Sequence, residues 1–108
     1  MIPPMATIPL PVDLPAEACK IALGPAVEGL GLRPQTRAAI ERAAPHALGA
    51  TYCTVTCTAA EAQDLLAYFR SAADVLGTRG DARASVCAVA ADNLRLALRL
   101  AGEVGDTT

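Results

Sequence analysis

The sequence predicts a mainly α-helical domain with a minor β element, an α+β fold. In it, a C-terminal antiparallel helical hairpin packs against short N-terminal helices and one short strand. Three observations predict this fold. Apolar residues form 53% and charged residues 19% of the 108 residues, a composition typical of a folded chain. All eight prolines lie at or before Pro45, which leaves the second half free to form long helices. Two long amphipathic patterns, separated by a few residues, occupy 59–101.

The chain divides into segments of one domain, and the first half is irregular. Asp13 is expected to cap a short helix that ends at Leu23, and a single turn is expected over 25–30. Pro34 suits the first position of a helix that extends to about Ala44. The predicted segments are an extended proline-rich arm (1–12), short helices and loops (13–49), a strand (50–57), the helical hairpin (58–102) and a frayed tail (103–108).

A short strand follows the irregular half. The run over 51–57 is rich in β-branched residues and alternates, with Cys53, Val55 and Cys57 on one face. A single strand leaves its backbone groups unpaired, so it needs a partner strand. The candidates are the extended stretch over 6–10 and the same strand of a second subunit.

The helical hairpin is the strongest local prediction. Thr58 and Glu61 have the spacing of a capping box, which predicts the start of a helix over 59–76. Asp81 is expected to cap the last helix, over 82–101. Because only a few residues join the two helices, they are predicted to lie antiparallel.

The last helix has more apolar surface than one neighbour can cover. At 100° per residue its apolar side chains span an arc of about 220°. Asn93 lies inside this arc and is expected to pair with its symmetry mate or with backbone of the first half, so that leucine at this position would raise the melting temperature but loosen specificity. We expect a homodimer whose interface comprises Val86, Val89, Ala90, Asn93, Ala97 and Leu100.

Three further side chains have two possible roles each. Arg95 and Arg99 form a strip at helical spacing, which is either a solvated face or the rim of the same interface. Tyr68, on the preceding helix, is either a residue at the edge of the core or an interface anchor.

The sequence shows no pattern typical of an enzyme. His46 is the single histidine, and it follows a proline at a break in the helical pattern, away from any obvious nucleophile. No glycine-rich phosphate loop precedes a helix, and the acidic residues are spread singly. We therefore expect no catalysis and no cofactor.

The four cysteines are the main chemical candidates. On a strand, Cys53 and Cys57 would lie about 13 Å apart, too far for a disulfide or a shared zinc ion. We expect them, with Cys87, to be small core residues. The alternative is a metal site formed by Cys53, Cys57, Cys87 and His46 if the segment were helical. Cys19, next to a lysine, is expected to be the exposed thiol.

Charge and targeting signals limit location and partners. Eleven acidic and nine basic residues give a net charge of −2, and no basic stripe is present, so nucleic-acid binding is not expected. The proline-interrupted start is unlike a secretory signal, and no apolar stretch is long enough to span a membrane. With four cysteines, this indicates a cytoplasmic protein. Eight arginines against one lysine, with 24 alanines, are typical of a bacterial or phage gene.

These observations together favour a protein-binding function. We expect a small non-catalytic module that binds another protein, of the adaptor, inhibitor, immunity-protein or antitoxin type, and forms a homodimer through its last helix. Two other functions stay open. One is a metal or redox sensor built on the cysteines, and the other is a DNA-associated regulator whose helix over 34–44 reads the duplex.

Overall fold

The computed structural model describes residues 10–24, 31–43, 49 and 51–101. Within these residues, four helices and a two-stranded antiparallel sheet confirm the α+β prediction, and the two C-terminal helices pack against each other. The predicted turn over 25–30, the tail over 103–108 and most of the arm lie outside the described residues. The elements are β1 (Leu10–Pro15), α1 (Ala16–Leu23), α2 (Pro34–Ala43), β2 (Tyr52–Cys57), α3 (Ala59–Thr78) and α4 (Arg83–Leu100).

The predicted strand is β2, and its partner belongs to the same chain. β1 runs antiparallel to β2, with Leu10 opposite Cys57 and Pro15 opposite Tyr52. The partner strand therefore begins where the predicted stretch over 6–10 ends. The prediction that Asp13 caps a helix is wrong, because Asp13 lies inside β1.

Proline explains why β1 continues past Asp13. A proline disfavours helical backbone in the residue before it, so Pro15 keeps Leu14 extended and delays α1 to Ala16. The ladder continues to Ala16, whose N–H donates to the Thr51 carbonyl at 2.9 Å. Along an antiparallel strand, residues whose backbone groups bond to the neighbouring strand alternate with residues whose backbone groups point away from it. Ala16 bonds to Thr51, so the odd-numbered residues of β1 direct their backbone groups away from β2. Pro11 and Pro15 occupy odd positions, so their missing N–H groups remove no hydrogen bond from the sheet.

The two long helices begin differently: α3 has a side-chain cap at its N-cap residue, and α4 has none. The capping box of α3 is confirmed: Thr58 Oγ1 accepts from the Glu61 N–H at 3.2 Å, and Glu61 Oε1 accepts from the Thr58 N–H at 3.0 Å. α4 begins one residue later than predicted, with Ala82 at the N-cap position. Asp81 still accepts the backbone N–H of Arg83 at 2.9 Å, so it satisfies one free donor at this end.

The turn between α3 and α4 lies further along the chain than predicted. α3 continues through Gly77 to Thr78, two residues beyond the expected end. The chain reverses at Gly80, whose φ of 70° is a conformation that favours glycine. The Asp81 N–H then donates to the Leu76 carbonyl at 2.9 Å and closes the end of the helix.

The core lies between one face of the sheet and the helices. α3 packs mainly on α4, α4 also packs on β1, and α2 packs on β2. Burial alternates along β2, with Cys53, Val55 and Cys57 inside and Tyr52, Thr54 and Thr56 exposed, as the sequence predicts. The largest fully buried side chains include Phe69, Leu14, Ile40, Leu65, Leu76, Leu94 and Leu98.

Candidate functional site

The apolar arc of α4 separates into two stripes. One stripe faces the core and consists of side chains at most 7% exposed: Cys87, Ala90, Ala91, Leu94 and Leu98. The other is centred about 150° away around the helix. We call it the outer stripe, and it consists of Val86, Val89, Asn93, Leu96 and Leu100.

The outer stripe is largely open to solvent. Val89 is 42%, Leu96 54% and Leu100 80% exposed, whereas Val86 is half-buried. These three exposed side chains and Tyr52, which is 52% exposed, are the large hydrophobic residues on the surface of the described chain. Scattered apolar side chains are normal on protein surfaces, but a cluster on one side is typical of an interaction site.

A groove lies between the outer stripe and the sheet. Its volume is about 400 Å³, and it is open along one side. Leu96 and Leu100 form one wall, and Pro11 and Tyr52 belong to the sheet side. The complete lining comprises Pro11, Val12, Asp13, Tyr52, Asn93, Leu96, Ala97 and Leu100.

Asn93 connects α4 to β1 within this groove. Its Nδ2 donates to the Asp13 carbonyl at 2.8 Å. This carbonyl belongs to an odd-numbered residue of β1, so it is directed away from β2 and toward α4. The expectation that Asn93 pairs with backbone of the first half is confirmed. The hydrogen bond satisfies the polar side chain of Asn93 within the apolar arc. Leu96 and Leu100, on the same side of the helix, remain exposed.

The predicted interface residues occupy different environments. Val89 and Leu100 are exposed on the outer stripe, and Ala97 is half-buried in the groove wall. Arg95 and Arg99 are exposed along the flank of α4. Arg95 Nη2 also binds Asp92 Oδ1 at 2.9 Å, one turn earlier on the helix.

Two of the predicted interface residues are in the core. Ala90 is fully buried on the inner stripe, and Tyr68 is 5% exposed. The Tyr68 hydroxyl donates to the Ile21 carbonyl at 3.3 Å, and its ring meets Phe69 edge to face at 5.3 Å. Neither side chain is available to a partner, because Tyr68 reaches Ile21 of α1 and Ala90 is buried within its own chain.

Five residues of the groove were absent from the interface prediction: Pro11, Val12, Asp13, Tyr52 and Leu96. Leu96 lies within the predicted apolar arc, so its periodicity was a usable signal. Tyr52 was a signal of another kind, since it is an aromatic residue on the polar face of the predicted strand. Pro11 carries no such signal, because only the pairing of β1 beside α4 brings it to the groove.

All four cysteines are buried and free. The prediction that Cys19 is exposed is wrong, because α1 turns this side chain into the core next to Cys53. Burial, with the neighbouring Cys53 thiol and its hydrogen bond, raises the pKa of Cys19 to about 12. Burial and the nearby Glu61 carboxylate raise the pKa of Cys57 to about 11. Because the thiolate is the reactive form, these thiols are poorly reactive at neutral pH.

Two of the three arginines on and before α2, Arg33 and Arg37, are paired with carboxylates. Arg33 Nε lies 3.6 Å from Asp64 Oδ2, and Arg37 Nε lies 3.3 Å from Glu41 Oε2. Arg37 also donates through Nη2 to the Leu23 carbonyl at 2.9 Å. Arg37 therefore has an acidic neighbour on the helix to which the DNA-reader hypothesis assigns phosphate contacts, whereas Arg42 forms no ion pair among the described residues.

Other site chemistry is limited in the part of the chain that the structure describes. There, no three His, Cys, Asp or Glu side chains form a group that could hold a metal ion, and His46 lies outside these residues. Over the same residues, no helix has the length and apolar character needed to cross a bilayer. Comparisons with models of protein families, with curated proteins and with solved structures find no match for this chain.

Proposed function

We propose that this chain is a small non-catalytic protein-binding module whose partner binds the outer stripe of α4 and the groove beside it. The observation that carries the proposal is the clustering of exposed large apolar side chains: three on one stripe of α4 and Tyr52 on the sheet side of the adjoining groove. Covering them removes apolar surface from water, which favours association.

The size of this effect follows from the exposed fractions. Full burial of a leucine side chain is worth about 1.5 to 3 kcal/mol. Leu96 is 54% and Leu100 80% exposed, so covering what remains of both contributes about 2 to 4 kcal/mol before the entropy loss of association. These two side chains therefore supply only part of the binding free energy that a specific complex needs.

The surroundings of the stripe resemble the usual anatomy of a protein interface. Apolar side chains lie in the middle, and Arg95 and Arg99 lie along one flank, where arginine is enriched. Tyr52 supplies a rigid aromatic ring with a polar end on the sheet side of the groove. The adaptor, inhibitor, immunity-protein and antitoxin roles all need such a surface and remain within the proposal.

A cytoplasmic location is part of the same proposal. The four cysteines are free, which suits a reducing compartment. The buried thiols with raised pKa values do not favour the sensor hypothesis. The pairing of Arg33 and Arg37 with carboxylates does not favour the DNA-regulator hypothesis.

Affinity capture with matched baits tests the proposal. The baits are the wild-type chain, Leu96→Asp/Leu100→Asp, and the control Ala67→Asp/Ala88→Asp, which adds the same charge at exposed positions outside the outer stripe. Circular dichroism verifies that all three fold. We expect the wild type and the control to retain a stoichiometric partner that the stripe variant loses. Recovery of the same proteins by all three baits would refute the proposal.

A further inference from the structure

The outer stripe has the spacing of a coiled-coil seam. Its residues follow one another at intervals of three, four, three and four positions. This is a heptad pattern, the arrangement through which one helix packs along another at a shallow angle. Val86, Asn93 and Leu100 occupy the a positions, and Val89 and Leu96 occupy the d positions. Val89, Leu96 and Leu100 of this seam are exposed, whereas Val86 packs against the core and Asn93 binds β1 of its own chain.

The seam is complementary to itself in antiparallel alignment. When two α4 helices are aligned antiparallel about a centre between residues 94 and 95, a positions lie opposite d positions. Val89 then lies opposite Leu100 of the second copy, and Asn93 opposite its Leu96. Each exposed apolar side chain at the C-terminal end of one helix is thus covered by the stripe of the other, and the two-fold symmetry repeats both contacts.

The charges beside the seam favour the same alignment. Asp92 and Arg99 occupy the g positions, and antiparallel helices bring g positions face to face. Asp92 therefore faces Arg99 of the second copy, and the symmetry repeats this pair. In a parallel alignment the g positions would face Ala90 and Ala97, which carry no charge. Among the described residues Arg99 has no carboxylate within 4.0 Å, and the side chain of Asp92 remains 68% exposed.

We infer that the occupant of the outer stripe is a second copy of this chain, packed through an antiparallel pair of α4 helices. The inference rests on the proposed function, because it names the partner of that same surface. The groove supports it, since Pro11 and Tyr52 stand beside Leu96 and Leu100 and flank the second helix. The interface is isologous, so the assembly closes at two copies.

Charge reversal with rescue tests the inference. Light scattering and sedimentation equilibrium should give twice the 11.0 kDa chain mass for the wild type. Asp92→Arg places like charges together at two symmetric sites and should raise the dimer dissociation constant about tenfold, as should Arg99→Asp. The double variant Asp92→Arg/Arg99→Asp restores opposite charges and should return toward the wild-type value. Arg42→Asp, an equal charge change at an exposed site of α2 away from Asp92 and Arg99, should leave the constant unchanged.

The outcomes separate the inference from the proposed function. A wild-type chain that stays monomeric overturns the inference, and so does a double variant that dimerises as weakly as the single variants. If the chain is monomeric but Leu96→Asp/Leu100→Asp still loses a captured protein, the proposed function holds with a different partner. If dimerisation and charge rescue are observed but capture does not depend on the stripe, the inference holds and binding of another protein through this surface is refuted.

Discussion

The hydrogen bond from Asn93 to β1 leads to a prediction with a defined sign. Asn93→Leu removes the Nδ2 donor that lies 2.8 Å from the Asp13 carbonyl. An intramolecular hydrogen bond contributes about 0.5 to 1.5 kcal/mol net, and leaving a buried acceptor unpaired costs more. Because Asp13 is exposed, water can reach the freed carbonyl, so the net value applies. We expect the free energy of unfolding to fall by about 1 kcal/mol and the melting temperature by about 5 °C.

This sign is opposite to the one that the sequence suggests. A polar residue in an apolar seam is expected to lower stability, so leucine should be an improvement. In the structure Asn93 instead donates a hydrogen bond from α4 to the backbone of β1. Leucine gains some apolar burial at this half-buried position but cannot donate to the carbonyl.

Urea denaturation followed by circular dichroism measures the effect. Ala88→Leu is the control, because it adds a leucine at an exposed site of α4 without a polar contact, and its effect should stay within about 0.5 kcal/mol. The measurement is repeated over a range of protein concentrations, since dimerisation makes stability depend on concentration. Equal or higher stability of Asn93→Leu would refute the reasoning. A difference that grows with concentration would show that Asn93 acts through the second copy.

The remaining predictions concern stability, titration and reactivity. Thr36 is fully buried and its hydroxyl has no hydrogen-bond partner among the described residues, so Thr36→Val should raise the free energy of unfolding by about 1 kcal/mol, whereas exposed Thr56→Val should change it little. A lower free energy of unfolding for Thr36→Val would show that the Thr36 hydroxyl has a hydrogen-bond partner. Thr58→Ala breaks the capping box and should lower the free energy of unfolding by about 1 kcal/mol; an unchanged free energy of unfolding would contradict the cap. Hydrogen bonds from Arg83 hold the pKa of Asp81 at about 2, so its stabilisation is present above about pH 4 and is lost as the pH falls toward 2; NMR titration of Arg83→Gln should show a higher pKa, and an unchanged value would refute the assignment. A thiol reagent should label the native protein slowly and all four cysteines after unfolding; fast native labelling would contradict their burial.

Local signals explain the elements that sequence analysis predicted well. The capping box at Thr58 and Glu61 involves residues three positions apart, so its chemistry is visible in the sequence. The alternation in β2 likewise follows from its own residues. The hairpin of α3 and α4 needs only two amphipathic patterns and a short turn between them.

Errors arose where local signals compete. Asp13 is a good helix cap, but the restriction that Pro15 places on the residue before it keeps the backbone extended. Cys19 stands next to a lysine, yet α1 directs the thiol toward Cys53 in a distant strand. The sequence allows Tyr68 to be either a residue at the edge of the core or an interface anchor. Its hydrogen bond to the Ile21 carbonyl shows that it belongs to the core. The outcomes for Cys19 and Tyr68 depend on contacts between elements far apart in sequence, whereas the outcome for Asp13 follows from a nearby proline.

Helical periodicity alone shows that α4 has an apolar arc too wide for one neighbour and that Asn93 lies within it, because periodicity decides which side chains share a face. How this arc is used depends on the packing of elements that are distant in the sequence. α3 and β1 cover the stripe that contains Leu94 and Leu98, and the Asp13 carbonyl satisfies Asn93. Leu96 and Leu100 remain open because β1 meets α4 along one edge and leaves a groove there. Periodicity specifies a face, but the neighbour that covers this face is chosen by long-range packing.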